Sequence, residues 1–292
     1  MAKIAIIGLS GGSIFMKVNS FPEKGETKVA EDLYFEPGGK GFNQAVACSR
    51  LGLKCYFLSA IGDDHYGNEC KKVLMNENVD FTLVQKNDNT SLATIITDDE
   101  GENKVIVSHG AKLHLDDLKI FSSRIKQADV LLLQLEVPIN IIKKAIKIAK
   151  ENNKFVILNP APFQKIDKEI IECVDLFTPN EGEAKMLFDL YPKEIFKNIV
   201  ITMGDKGAIL YSDNKETIIP PYKVKAVDTT GAGDTFNAAL AVRIAEGASL
   251  IEACKFASVA AAFSVIKPYV INALPKLEDV EKAYEKNINN SI

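Results

Sequence analysis

The residues best suited to chemistry form the run Asp228-Thr229-Thr230-Gly231-Ala232-Gly233-Asp234, a glycine-rich turn that ends in a carboxylate. Glycines have no side chain, so backbone N–H groups can approach an anion closely at such a turn. Apolar residues then recur three and four apart from Phe236 to Ile244, before Gly247, which predicts a helix that begins at the turn. The unpaired N–H groups and the positive dipole end of that helix would form an anion site.

Asp234 needs an explanation, because a carboxylate repels a phosphate bound beside it. Accepting a proton from an attacking hydroxyl would explain its presence, and the pattern then predicts phosphoryl transfer. The alternative interpretation is an ordinary helix start, where acidic residues complement the helix dipole.

A second glycine cluster, residues 36–47 (EPGGKGFNQAVA), also leads from an extended segment into a helix. Within it Lys40 supplies a positive charge, and the amide of Asn43 can both donate and accept hydrogen bonds. The alternative is an ordinary strand-to-helix turn that carries a surface lysine.

Composition restricts the class of protein. The chain has 292 residues, a length that predicts one large domain with a small appendage. Its 35 basic and 39 acidic side chains are nearly balanced, and no basic tract suggests nucleic acid. No apolar run approaches the length of a membrane span. The five cysteines lack C-x-x-C spacing, so neither a disulfide framework nor a zinc site is indicated, and a cytoplasmic location is expected.

The apolar pattern predicts an α/β fold. From residue 129 onward strands and helices alternate, as in Val130–Leu135, Pro138–Asn152 and Phe155–Leu158. This order is typical of a doubly wound, mostly parallel central sheet with helices on both faces. We expect residues 1–292 to form a single domain of this kind.

Two other regions, at about residues 13–36 and 91–108, alternate like strands and predict hairpins set apart from the main body. In the first of them, we expect an extended run at Thr27–Phe35.

Six ordered stretches of the chain together indicate a family. They are Gly38–Gly52 (GGKGFNQAVACSRLG), Ala60–Gly67 (AIGDDHYG), Gln134–Pro138 (QLEVP), Asn159–Pro162 (NPAP), Thr178–Ala184 (TPNEGEA) and Val227–Asn237 (VDTTGAGDTFN). On these residues the chain resembles the ribokinase-like (PfkB-type) carbohydrate kinases from Ile4 to about Val265.

The resemblance implies a role for each matching residue. Asp234 would be the catalytic base, and Gly231, Ala232 and Gly233 would donate N–H groups to the transferred phosphate. The sugar would contact Gly11, Ser13, Gly39, Lys40, Gly41, Asn43, Glu136 and Asp234. ATP would contact Asn180, Thr202, Gly204, Gly207, Gly233 and Ser258.

The resemblance also implies ions and partners. Glu183, with Asn180, would organise Mg²⁺ through water, and Asp228 and Thr230 remain available to a monovalent cation such as K⁺. The implied reaction transfers the γ-phosphate of ATP to a primary hydroxyl of a sugar, a pentose such as ribose. The hairpins at about residues 13–36 and 91–108 would form a small β-sheet lid that excludes water from the sugar site. The lid strands would pair two copies into a homodimer.

Two departures from the family pattern limit this prediction. Gly11, Gly12 and Ser13 stand where an Asn-x-Asp element is usual, and a serine offers fewer acceptors to sugar hydroxyls than a carboxylate does. Residues 266–271 (IKPYVI) replace a Gly-Ala turn and a serine near the cation site. The identity of the sugar and activation by K⁺ are therefore open.

Three alternatives to a pentose kinase follow. The first is a kinase for a nucleoside or a hexose derivative. The second is a catalytically weak ligand-binding sensor, which the missing aspartate would explain. The third is a dinucleotide-dependent oxidoreductase, although Gly8–Gly12 does not match G-x-G-x-x-G and no helix pattern follows it.

Overall fold

A computed structural model describes residues 2–100 and 102–289, without the side chains of residues 103 and 287–289. Two sheets contain the thirteen strands of this part of the chain. The strands are β1 (Lys3–Ile7), β2 (Gly11–Lys17), β3 (Asp32–Gly38), β4 (Lys54–Gly62), β5 (Asp80–Lys86), β6 (Ser91–Thr97), β7 (Asn103–Ser108), β8 (Val130–Gln134), β9 (Phe155–Asn159), β10 (Leu176–Phe177), β11 (Asn198–Thr202), β12 (Ala208–Ser212) and β13 (Lys215–Ile219).

The central sheet has nine strands in the order β13-β12-β11-β10-β9-β8-β1-β4-β5. Neighbouring strands from β11 to β5 are parallel, and β12 and β13 add an antiparallel edge. The predicted mostly parallel sheet is therefore confirmed.

Helices cover both faces of this sheet, as predicted. They are α1 (Lys40–Arg50), α2 (His65–Asn76), α3 (Asp117–Gln127), α4 (Ile139–Glu151), α5 (Lys168–Cys173), α6 (Glu181–Leu190), α7 (Ala232–Ala245), α8 (Leu250–Ser264) and α9 (Leu277–Asn289). Because successive strand residues point to opposite faces, Ile4 and Ile6 lie in a core with α1, α7 and α8, while Ala5 and Ile7 lie in another with α3 and α4. In the described residues, no helix has the length and apolar character needed to cross a membrane.

A separate four-stranded sheet, here called the lid sheet, has the order β3-β2-β6-β7. The register places Gly11 opposite Gly38 and Lys17 opposite Asp32. The extended run expected at Thr27–Phe35 is wrong at its beginning, since β3 begins at Asp32. The partner strand β2 ends at Lys17, so the residues before Glu31 have no strand beside them with which to form a ladder.

The two glycine clusters lie together at one edge of the central sheet. Helix α1 begins just after the lid strand β3, and its backbone contacts the chain where β1 ends. Helix α7 packs along α1. In parallel sheets ligands bind at the carboxyl edge of the strands, and both helices begin there.

Candidate active site

Asp234 lies in the first turn of α7 and is 8% exposed. The helix begins after Gly231, whose φ of +78° is a conformation that other L-residues rarely adopt. A Cβ at position 231 would lie 2.6 Å from the Cγ1 atom of Val270, so the neighbouring loop also requires glycine there. At Gly233, by contrast, a Cβ would meet nothing within 4 Å, which leaves this turn open to a ligand.

Two side chains of α1 hold the Asp234 carboxylate. Asn43 Nδ2 donates to Asp234 Oδ2 at 2.8 Å, and Gln44 Nε2 donates to Oδ1 at 3.0 Å. Gln134 Nε2, at the end of β8, donates in turn to Gln44 Oε1 at 2.5 Å. The carboxylate therefore has a fixed orientation.

Sequence reasoning gave no role to Gln44 or Gln134, although both lie inside the family stretches. The signal available in the sequence was a pair of glutamines in otherwise apolar segments, since buried amides need partners. Asn43 Oδ1 and Gln134 Oε1 are buried and have no hydrogen-bond partner among the described residues. The Asn43 oxygen is thus an acceptor without a donor, next to the carboxylate that the same amide holds.

The start of α1 depends on close backbone packing. Gly39 has a φ of +104°, and a Cβ there would lie 2.6 Å from the Leu9 carbonyl oxygen. A Cβ on Gly41 would lie 2.5 Å from the Cα atom of Gly8. These glycines let the helix start approach the end of β1, which places Lys40 and Asn43 at the sheet edge.

Lys40 provides the positive charge of the site. Its backbone N–H donates to Glu136 Oε2 at 2.7 Å. Burial lowers the pKa of the Lys40 ammonium, but the charges of Asp234, Glu136 and Glu183 outweigh burial and leave that pKa raised. The lysine therefore stays protonated among three carboxylates.

Burial acts on the pKa values of the carboxylates in the opposite sense to its effect on the lysine. Burial raises the pKa of Asp234, although Lys40 and the amides of Asn43 and Gln44 oppose that rise. Burial also raises the pKa of Glu136 to about 7, against the effect of the Lys40 charge. Asp234 is consequently a stronger base than an exposed aspartate, which suits proton abstraction.

The predicted phosphate donors lie at the same turn. The N–H of Ala232 donates to the Thr229 carbonyl at 3.3 Å. Among the described residues, the N–H groups of Gly231, Gly233 and Asp234 have no acceptor. The free amides of this turn therefore include two of the three expected donors.

Asn180 and Glu183 form a capping box at the start of α6. Asn180 Oδ1 accepts from the Glu183 N–H at 2.8 Å, and Glu183 Oε2 accepts from the Asn180 N–H at 2.9 Å. Burial raises the pKa of Glu183, opposed by the Asn180 N–H and by Lys40. One carboxylate oxygen stays available, which fits a magnesium ion that keeps most of its water ligands.

The predicted nucleotide residues lie further along the same edge. Thr202 ends β11 and pairs with Asn180 through an isolated bridge. Gly204 is exposed, and a Cβ there would meet nothing within 4 Å, whereas a Cβ on Gly207 would lie 2.2 Å from the Ile219 carbonyl oxygen. Gly207 thus has a structural need for glycine besides its predicted role. Ser258 Oγ donates to the Pro220 carbonyl at 3.1 Å.

On the acceptor side, the lid sheet contributes Gly11 and Ser13. A Cβ on Gly11 would lie 2.6 Å from the Ser91 carbonyl oxygen. Ser13 Oγ lies 2.8 Å from the position of a Cβ on Gly38, at the entrance to α1. The position where the family pattern has a carboxylate is therefore occupied by a short hydroxyl.

Asp228 and Thr230, the residues expected to hold a monovalent cation, contact each other. Asp228 Oδ1 accepts from the N–H of Thr230 at 2.9 Å and from its hydroxyl at 2.7 Å. Asp228 Oδ2 accepts from the N–H of Tyr269 at 2.9 Å. Three donors therefore fill most of the roughly four acceptor positions of this carboxylate, which leaves little capacity for a cation.

Chemically, the site combines a buried base, a lysine and free amides at a helix start. Such a combination can deprotonate a hydroxyl and stabilise the charge of a transferring phosphoryl group.

Comparisons with known proteins agree with this geometry. Residues 1–277 match the pfkB family of carbohydrate kinases. The ribokinase of Haemophilus influenzae is 34% identical to the chain, over 94% of the chain and 96% of its own length. The ribokinase structure from Thermotoga maritima is 35% identical and superimposes with a TM-score of 0.88 over 98% of the chain and 100% of its own.

A second solved structure is the Arabidopsis thaliana ribokinase complexed with ribose and ATP. It is 29% identical to the chain, with a TM-score of 0.88 over 98% of this chain and 99% of that one. The chain belongs to the pfkB family of carbohydrate kinases and is a phosphotransferase that acts on an alcohol group.

Proposed function

We propose that the protein is an ATP-dependent sugar kinase whose acceptor is a pentose such as ribose. The observation that carries this proposal is the Asp234 carboxylate, which Asn43 and Gln44 hold beside the free amides of the glycine turn. The names of the relatives, and the ribose and ATP in the Arabidopsis complex, support the two substrates.

In the proposed reaction Asp234 accepts the proton of a primary hydroxyl as the hydroxyl oxygen attacks the γ-phosphorus of ATP. The bond to the bridging oxygen breaks, and ADP leaves with the electron pair. Lys40 and the amides of Gly231 and Gly233 stabilise the charge on the transferring group. Asn43 orients the base with its Nδ2, and its unpartnered Oδ1 accepts from a sugar hydroxyl.

We propose that Glu183, next to Asn180, holds the predicted magnesium ion through bridging water molecules. When bound, the ion neutralises phosphate charge. The same carboxylate also acts on Lys40, because its charge favours the protonated lysine. Thr202, Gly204, Gly207 and Ser258 remain the proposed nucleotide contacts.

The acceptor is the least determined part of the proposal. Ser13 stands where a carboxylate could accept hydrogen bonds from two adjacent sugar hydroxyls, and its single hydroxyl offers fewer such bonds. Substrates other than ribose therefore need direct comparison. A panel of ribose, 2-deoxyribose, ketohexoses and nucleosides, read out as ADP formation, tests the proposal. We expect the highest kcat/KM with a pentose. A nucleoside or hexose as the best acceptor would replace that assignment, and no turnover with any acceptor would favour the sensor hypothesis.

We further propose a homodimer through the lid sheet. Leu33 and Ile106 lie on one face of this sheet and are 61% and 66% exposed, which is an apolar patch suited to a second copy. Sedimentation of the wild type and of Ile106→Glu tests it: the proposal expects a dimer that the glutamate dissociates, and a monomeric wild type contradicts it.

The proposed location is the cytoplasm. The five cysteines are free, and four of them are buried, as in proteins of a reducing compartment. Cell fractionation with an antibody to the protein tests this location, and recovery outside the cytoplasmic fraction would contradict it.

A further inference from the structure

The loop at residues 266–271, which departs from the family pattern, presents three consecutive N–H groups to two carboxylates. Tyr269 N–H donates to Asp228 Oδ2 at 2.9 Å. Val270 and Ile271 donate to Glu36 Oε1 at 2.8 Å and to Glu36 Oε2 at 3.0 Å. Glu36 is 4% exposed, and the kinase mechanism gives it no role.

The other side of the same loop faces a fixed positive charge. Arg50 Nη1 donates to the carbonyl oxygens of Ile271 at 2.6 Å and Leu274 at 2.9 Å. Glu77 holds the guanidinium in place through bonds of 2.9 and 2.6 Å. The carbonyl groups of Ile271, at the end of the loop, and of Leu274, just beyond it, are therefore bound to a side-chain cation of α1.

This arrangement reaches the phosphate turn through Val270. The Val270 side chain occupies the space that a Cβ on Gly231 would need, and Gly231 begins α7. The loop thus packs directly against the turn that carries the Gly231 amide. Since Glu36 belongs to β3, the loop at Val270 is bound to the lid sheet on one side and packs against the phosphate turn on the other.

An aromatic contact adds to the same connection. The rings of Tyr34 and Tyr269 stack with centroids 3.8 Å apart, and Asn272 Nδ2 donates to the Tyr34 hydroxyl at 2.8 Å. Tyr269 has a φ of +68°, a conformation that is costly for a non-glycine residue and persists only where its surroundings hold it.

We propose that Glu36 and Arg50 replace a monovalent cation in this protein, so that the loop at residues 266–271 is held against the Gly231 turn without K⁺ or Na⁺. Glu36 acts as a positioning residue for the phosphate site. This proposal rests on the proposed kinase function only where a reaction rate is measured. Stabilisation of the folded protein by a bound ion can be measured without turnover.

The first test compares the wild type in KCl, NaCl and tetramethylammonium chloride at equal ionic strength. We expect the Tm values to agree within about 2 °C, because a bound ion would stabilise the folded state. We also expect initial rates within about twofold, since an ion that is not bound cannot change the barrier. A rise in Tm or rate beyond these limits that is specific to K⁺ or Na⁺ would overturn the proposal. If no acceptor is phosphorylated, the proposed function fails, and the Tm series still decides the question of the ion.

The second test uses Glu36→Gln, with Glu31→Gln as the matched control. Glu31 precedes β3, has a 51% exposed side chain and pairs with Lys17. A glutamine at position 36 turns an NH₂ group toward one loop N–H, so we expect kcat to fall about tenfold while the sugar KM changes little. An unchanged kcat in the folded variant would contradict the positioning role. If Glu36→Gln does not fold, the wild-type salt series decides.

Discussion

Asn43 and Asp234 lie 191 positions apart in the chain, and a 2.8 Å hydrogen bond joins their side chains. The bond connects the starts of α1 and α7, and hence the two glycine clusters. One amide holds the proposed base and leaves its own oxygen free for an acceptor hydroxyl. Substrate positioning and base orientation therefore depend on the same residue.

The first prediction concerns Gln44→Leu. The change removes one donor from Asp234 and leaves Gln134 Nε2 without its acceptor. We expect a loss of about 1–3 kcal/mol in the free energy of unfolding. Because the Gln44 hydrogen bond lowers the pKa of Asp234, its loss should move the acid limb of the kcat–pH profile to higher pH.

Urea unfolding and a pH–rate profile measure both effects. Gln85→Leu is the control, since Gln85 is exposed on the edge strand β5. An acid limb that stays in place in Gln44→Leu would contradict the proposed contact with the base.

The second prediction uses the raised pKa of Glu136, about 7. Between the unfolded pKa near 4.5 and the folded value, the folded state binds more protons, so wild-type stability should fall as the pH rises from 5 to 8. The glutamine of Glu136→Gln cannot ionise, so the variant does not lose unfolding free energy in this way. We expect the difference in unfolding free energy between variant and wild type to shift in favour of the variant by about 1–3 kcal/mol from pH 5 to pH 8.

Chemical denaturation at both pH values measures this shift. A difference that is independent of pH would show that Glu136 titrates near its ordinary range.

The third prediction concerns Lys40→Gln. Loss of the ammonium removes the positive charge beside Asp234, Glu136 and Glu183. It also removes the proposed stabilisation of the transferring phosphate. We expect kcat to fall about 100-fold or more. Steady-state kinetics of this variant and of Lys72→Gln, whose side chain is 67% exposed on α2, separate this effect from a general loss of charge. Equal kcat values for the two variants would contradict the role of Lys40.

The fourth prediction compares two glycines of one turn. Gly231→Ala meets both an unfavourable φ and the Val270 side chain, so we expect a loss of about 1–3 kcal/mol in stability as well as of activity. Gly233→Ala has room for its methyl group in a helical position, so we expect unchanged or higher stability. Its methyl group nevertheless enters the proposed phosphate space, and kcat should fall.

Thermal unfolding and kinetics of both variants check this contrast. Equal destabilisation by the two alanines would contradict the described geometry of the turn.

The sequence alone predicted the architecture and identified the two glycine clusters. Periodicity predicted the parallel sheet, because strands buried on both faces have continuous apolar runs, as in β8 and β9. It placed the start of β3 too early, because pairing with β2, and not local propensity, determines where that strand begins.

Contacts between distant segments could not be predicted in the same way. Local spacing does not predict the hydrogen bond between Gln134 and Gln44, nor the one that Glu36 accepts from the Val270 N–H. Glu36 appeared only as the first residue of a glycine cluster, because burial and backbone donors arise from tertiary packing. One of the three donors to Asp228 likewise comes from a loop 41 residues away, at Tyr269.

The most direct test of the account is the turnover of Asp234→Asn, with Asp205→Asn, an exposed position, as the control. The amide keeps the shape of the side chain but cannot accept the hydroxyl proton. We predict a loss of about 10²–10⁴-fold in ADP formation, with the ATP-dependent rise in Tm retained. Turnover of Asp234→Asn close to that of the wild type would contradict the assignment of the base and, with it, the proposed mechanism.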